Sequence, residues 1–471
     1  MKIAFIHFHL KTGGVTTVIR EQVKAVAALG WEVLVMSGGA PGDDFPTHVC
    51  EIPGLVYDQD LPKPAAAKAV AGDIIEAMHD RWSRAADIVH VHNPTLAKNH
   101  TLQEILKQLQ FAGMQLLCQI HDFAEDGRPA AFFREPYAAD CHYAVINGRD
   151  KRLLLNSGLC SLGVHLLPNP VPAMPGSSVL KHSRGNHVLY PVRAIRRKNI
   201  GEAILLTLFF NDLEPLAITL PPNSPIDLQS YHDWRDFVIR HHLQVDFEAG
   251  LRNDFSDLVH GCHYVLTTSI TEGFGFSFLE PWTAGKALWG RRLPEICQDF
   301  IDRGIRLEHL YDRLMVPLSW VDATALARRW QNAMSQAAAQ YGLPMDAGGL
   351  ASAWRAVSQD GSIDFGLLDE AAQRQIIEIA LTDNSALAQL RRLNPFLEHA
   401  GPPPDCRQLI THNRTAVVRH YHPDAYAQRL QALYLHVLSH PVHQSIDKSQ
   451  LVKAFLTPHG FSLLKWGDYL G

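Results

Sequence analysis

Between residues 2 and 290 short apolar runs alternate with stretches of helical periodicity, and that alternation restricts the chain to few architectures. Residues 2–8 read as a buried strand. Gly13 and Gly14 lead into a helical stretch over 15–29, with apolar residues at 15, 18, 19, 23, 26 and 29, and Gly30 ends it. Further strands are expected at 32–36, 87–92, 114–121, 142–146 and 164–167, with a helix over 99–112. Strands interleaved with helices imply right-handed crossovers and a mostly parallel sheet. At 168–178 the sequence turns to PNPVPAMPGSS, which reads as a linker. The pattern then restarts, with strands at 187–192, 215–220, 245–247, 264–268 and 286–290. Helices are expected at 199–210, 232–242, near 254–260 and at about 276–285. Beyond 320 the chain reads as mostly helical. PAAAKAVAG at 64–72 and GPPPD at 401–405 read as loop or helix-end material.

The 471 residues are 46% apolar and 19% charged, which supplies packed cores and argues against wholesale disorder. Lys plus Arg number 43 against 48 Asp plus Glu, a net charge of −5. That balance excludes a dedicated nucleic-acid binder and offers no polybasic patch for anionic lipid. Seven Cys without a C-x-x-C spacing read as the reduced thiols of a cytoplasmic protein. The start, IAFIHFHL, is broken by His7 and His9 and reads poorly as a signal peptide. No stretch approaches the roughly 18 uninterrupted apolar residues of a membrane span.

The segment most able to carry chemistry is TSITEGFGFSFLE at 268–280. A strand ends in small polar residues, then come Glu272, Gly273-Phe274-Gly275 and a helix containing Glu280. Glycine lets a backbone approach a ligand closely, and a helix start presents unpaired N–H groups to phosphate or sugar oxygens. In an open α/β sheet both acids can face one crevice at the strand ends.

This segment resembles the E-x7-E region of retaining nucleotide-sugar glycosyltransferases of the GT-B fold, family 4. The likeness continues in GGVTTVIREQVKAVAALGWEVLVMSG at 13–38, HD at 121–122, LLPNPV at 166–171, YPVRAIRRKNIGEAI at 190–204 and AYAQRLQALYLHVL at 425–438. It implies an α/β fold of two facing Rossmann-like domains with an interdomain cleft and a helical C-terminal region. The implied division is 1–175 for the acceptor, 176–420 for the nucleotide sugar, and 421–471 crossing back to the first domain. The implied activity moves a hexose, glucose or mannose by family frequency, onto an acceptor hydroxyl with retention of configuration. It needs no metal and no cofactor beyond a UDP, GDP or ADP sugar as co-substrate.

By the same resemblance Arg193 and Lys198 hold the donor diphosphate, Glu272 contacts the donor sugar and Glu280 accepts from the ribose hydroxyls. The N–H groups around Gly273, Phe274, Gly275 and Phe276 touch sugar and phosphate. Gly13 and Gly14 match the loop approaching donor phosphate or acceptor, and His121 stands beside the transferring sugar. Asp122, Arg128 and Arg134 are candidates for an anionic acceptor. Residues 1–175 hold 15 Lys plus Arg against 18 Asp plus Glu, so a small soluble acceptor is favoured over a lipid-linked one. A homo-oligomer is allowed. Arg196 and Arg197 are expected to face solvent, and Arg292 to reach an anionic group. Two other readings stay open. The pairs His7/His9 and His90/His92 each share a strand face and could serve a metal-dependent hydrolase. A non-catalytic sugar-nucleotide binder would retain the same basic and acidic residues.

Overall fold

In the computed structural model, β1 (Lys2–His7), β2 (Glu32–Ser37), β3 (Val49–Glu51), β4 (Ile88–His92), β5 (Leu116–Ile120), β6 (His142–Val145) and β7 (Val164–Leu166) form one seven-stranded sheet. Its order is β3-β2-β1-β4-β5-β6-β7 and every pair is parallel. A second sheet holds β8 (Val188–Arg193), β9 (Leu216–Leu220), β10 (Val245–Asp246), β11 (Tyr264–Thr267) and β12 (Leu288–Gly290), in the order β10-β9-β8-β11-β12. It too is parallel throughout. The structure describes residues 1–11, 13–42, 45–61, 65–172, 187–210 and 214–466. Positions 173–178 of the expected linker lie outside these.

The chain divides into two compact units, Met1–Pro172 with His420–Phe455 and Ala173–Arg419 with Leu456–Gly471. Each is a Rossmann-like α/β unit. Central strands such as β4 and β5 are buried along their whole length, which is why they read as apolar runs rather than alternating ones. In the first unit the helix Gly14–Ala28 buries Ile19, Val23 and Val26 on β1. The helix Pro423–Ser439 returns to the same layer and adds Tyr426, Leu430, Tyr434 and Val437. Gln22 Nε2 donates to both Gln119 Oε1 and the Tyr426 hydroxyl, each at 2.7 Å.

Several elements differ from expectation. Residues 67–72, expected as loop or helix-end material, open a long helix, Ala67–Trp82, which buries Val70, Ala71, Ile74, Met78 and Trp82 at helical spacing. β3 was absent from the expected strands, as was β14 (Ser362–Asp364), which pairs antiparallel with β13 (Met315–Pro317). The helix expected at 276–285 is a 3-10 turn, Phe276–Phe278, followed by one α-turn, Glu280–Thr283. Pro281 and Gly285 (φ 71°) keep it short. Residues 456–466 remain with the second unit rather than joining the first, because Phe461 and Trp466 are buried there and Phe461 O accepts from Trp330 Nε1 at 3.1 Å.

Candidate functional site

In the second sheet the strand order reverses between β8 and β11, the position at which a parallel sheet opens a crevice beyond its strand ends. β8 ends on Arg193 and runs into the turn Arg196–Lys198, and β11 ends on Thr267 and runs into Glu272. The two loops are stitched together. The Tyr190 hydroxyl donates to Lys198 O at 2.6 Å, and Thr268 Oγ1 reaches the carbonyls of Lys198 and Asn199 at 3.1 Å. Ile270 N–H donates to Arg197 O at 3.1 Å.

That stitching brings Lys198 Nζ onto Glu272 Oε1, while Arg197 Nη1 stands 3.3 Å from Glu272 Oε2. Burial by itself would raise the Glu272 carboxyl, but the charges of Lys198 and Arg197 overcome it and hold the group below the usual carboxylate range. Burial draws Lys198 below its ordinary value against the pull of Glu272. Arg197 is therefore half-buried at the site rather than solvent-facing, and Arg196 pairs with Asp227 at 3.5 Å. Arg193 is exposed, its Nη1 3.4 Å from Pro221 O, outside the Lys198–Glu272 cluster.

Gly273, Phe274, Gly275 and Phe276 follow directly, with Gly275 at φ 89°. Because the helix beyond them is a single turn, it supplies individual N–H donors and little of the dipole expected from a longer helix. Glu280 lies in that turn, burial alone raises its pKa, and among the described residues it makes no ion pair.

Behind the site Arg291 is 4% exposed and bridges Glu202 and Asp364. Glu202 in turn accepts from Asn199 Nδ2 at 2.7 Å, which anchors the residue after Lys198. Gly290, at φ 129°, lets β12 press onto β11: a Cβ there would meet Thr267 O at 2.0 Å. Arg292 is held by both oxygens of Asp312, at 2.6 and 2.9 Å, rather than reaching for a ligand.

The first sheet reverses between β1 and β4, and the same strand-end edge carries His7, His92 and His121. His92 Nδ1 lies 2.9 Å from His121 Nε2 with the rings stacked, and Asn93 Oδ1 accepts from the His121 N–H at 2.8 Å. Burial lowers His7 and His90 to about 3 and His121 to about 4, so the cluster is neutral at pH 7. Asp122 pairs with Arg128 at 2.9 Å, and Arg134 is exposed. Gly13 and Gly14 are exposed at the start of the following helix, and a Cβ on Gly14 would meet nothing within 4 Å. His90 is spent on the Tyr434 hydroxyl at 2.8 Å. Among the described residues the His7/His9 and His90/His92 pairs form no group able to hold a metal ion; that arrangement occurs elsewhere, at His142, His165 and His436.

The neutral cluster has a consequence for pH. Between about 6.5 and 4 the unfolded chain takes up protons that the folded His121 refuses, so stability rises with pH across that window and is lost on acidification. His121 alone accounts for about 3 kcal/mol by pH 4. Urea unfolding at pH 7, 5.5 and 4.5 should show the loss, and His121→Asn should flatten the slope.

A family profile for a glycosyl transferase 4-like domain matches residues 13–156. A mannosylglucosyl-3-phosphoglycerate synthase of Petrotoga mobilis is 25% identical over 375 residues, 70% of this chain and 72% of that protein. Among solved structures, Anabaena HepE in complex with UDP-glucose superposes with a TM-score of 0.51 at 13% identity, covering 92% of this chain and 99% of its own. A glycosyltransferase from Rickettsia africae gives 0.55 at 11% identity over 93% and 98%.

Proposed function

We propose, on the premise that this chain is a GT4-like glycosyltransferase of the GT-B fold, that it moves a hexose from a nucleoside-diphosphate sugar to a small anionic acceptor with retention of configuration. The observation that carries this reading is the meeting of Lys198 and Arg197 with Glu272 at the switch point of the second sheet, directly before Gly273-Phe274-Gly275. Leaving diphosphate gathers negative charge as the glycosidic bond breaks. Cations fixed in advance stabilise that charge without reorganising. Lys198 and the exposed Arg193 would serve it, and Arg197 joins them.

Glu272 keeps Lys198 in place before the donor arrives and would then accept from sugar hydroxyls. Glu280, an acid with no ion pair among the described residues, has acceptor capacity for the ribose. The acceptor hydroxyl would attack from the face the diphosphate leaves, with its proton passing to a departing phosphate oxygen. The site offers its own cations for the leaving group, which supports transfer without a metal at the reacting centre.

For the acceptor, the Petrotoga relative is named for a product containing phosphoglycerate, an anionic group. Arg128, paired with Asp122 directly after a neutral His121 that would present no competing charge, fits such a group, and the exposed Arg134 is a second candidate. Among the described residues no helix is long and apolar enough to cross a membrane.

Thermal-shift titration against UDP-, GDP- and ADP-linked glucose and mannose tests the reading. One of these should raise Tm by mass action. Glu280→Gln should weaken that nucleotide sugar about tenfold by calorimetry, the worth of one hydrogen bond to a charged acceptor. A chain that binds none of the six, or a Glu280→Gln variant of equal affinity, would remove the donor assignment. Anomeric proton couplings of the product report retention, and transfer in the presence of chelator, with the chain still folded, reports metal independence.

A further inference from the structure

We propose that His142, His165 and His436 form a binding site for a divalent transition-metal ion, Zn2+ foremost, at the edge of the first sheet opposite His92 and His121. The three imidazoles come from three elements: the first residue of β6, the middle of β7, and the returning helix Pro423–Ser439. One ligand nitrogen from each lies within 4.8 Å of the others.

Their outer hydrogen bonds fix the tautomers that ligation needs. A backbone carbonyl only accepts, so His142 Nε2 at 2.8 Å from His440 O carries the proton, and so does His436 Nε2 at 3.0 Å from Leu162 O. Both Nδ1 atoms are left as lone pairs, and both rings have the carbonyl support that metal-ligating histidines receive. His165 Nε2, 2.8 Å from His142 Nδ1, is the proton donor of the metal-free pair. On binding, His165 moves that proton to its own Nδ1 through solvent and presents Nε2 to the metal, with no net proton released.

Tetrahedral nitrogens about Zn2+ stand about 3.3 Å apart for Zn–N near 2.05 Å, so His142 and His165 need part by only about half an ångström. A cavity of about 490 Å3, lined by His165, His436 and Lys151 among others, opens beside the triad and gives the ion a route in and a fourth position for water. The set is three imidazoles with no carboxylate, which selects Zn2+ and its neighbours over Mg2+ or Ca2+.

The site is independent of the transfer chemistry. Its effect would be to pin the returning helix to β6 and β7, so its readout is stability. Chain stripped with chelator and then reloaded with Zn2+ should retain one equivalent after gel filtration, and its Tm should rise by about 5 °C or more at a hundredfold excess of Zn2+ over Kd. His165→Ala and His436→Ala should each abolish both the retained zinc and the rise, while His9→Ala should keep them. Co2+ added to the unaltered chain should give the intense visible bands of a tetrahedral ion. That measurement decides the matter if either variant fails to fold. No retained zinc, a weak six-coordinate cobalt spectrum, or zinc lost only in His9→Ala would each overturn the site.

Discussion

Lys198→Ala should lower turnover by roughly 10²–10³ while leaving the chain folded. Removing one preorganised stabiliser of developing negative charge costs about 3–4 kcal/mol of transition-state stabilisation. Lys198 is positioned for this by main-chain bonds from Tyr190 and Thr268 to its carbonyl, which persist when the side chain is shortened. Glu272 keeps Arg197 as a partner, so no bare buried carboxylate is left behind. The loss should fall mainly on kcat, because charge on the diphosphate grows as the bond breaks. Lys198→Arg should recover part of the rate. Glu272→Gln offers a second view: with its counter-charge gone, Lys198 falls further below its ordinary value, and donor binding should weaken earlier on the alkaline side. A folded Lys198→Ala with native turnover would end the role assigned to this residue.

Arg291→Ala should destabilise the second unit by about 3–5 kcal/mol, the cost of breaking a buried ion pair from one side. Every one of its N–H groups is used. Nε and Nη2 bond Glu202 at 2.8 and 2.5 Å, Nη1 and Nη2 bond Asp364 at 2.8 and 2.7 Å, and Nη1 also reaches Asp312 O at 3.2 Å. Truncation strands the Glu202 and Asp364 carboxylates away from water. Denaturant unfolding reads the loss, and the triple change Arg291→Met, Glu202→Gln, Asp364→Asn should restore a large part of it. A single Arg291→Ala variant within about 1 kcal/mol of native stability would contradict the account. Since Glu202 also anchors Asn199, donor binding should fall in Arg291→Ala even where the unit stays folded.

These two residues show what sequence alone could convey. The strand–Glu–GFG–helix–Glu segment and the Arg193…Lys198 spacing are local, and local patterns are visible in a chain. Lys198 and Glu272 could thus be singled out as candidates before their contact was known. Arg197 could not, because a basic run looks alike whether it faces water or a carboxylate from a loop 75 positions away. The pair Arg291-Arg292 is the sharper case. Two adjacent arginines have opposite fates, one buried between Glu202 and Asp364, the other at the surface with Asp312, and only the partners decide which. The helix Ala67–Trp82 was legible in principle from its spacing at 70, 71, 74, 78 and 82, but its Ala-rich start masked it. The His142–His165–His436 group had no sequence signal, since no short spacing unites it.

The helix Pro423–Ser439 has one more consequence. It buries Tyr426 and Tyr434 in the layer formed by β1 and the helix Gly14–Ala28, so the first unit is not complete in its own leading segment. On the ribosome that layer stays open, with an oily trough uncovered, until the helix Pro423–Ser439 has been made. Fragments ending before residue 423 should therefore precipitate rather than yield a usable half, which the solubility of such a truncation beside the whole chain would report.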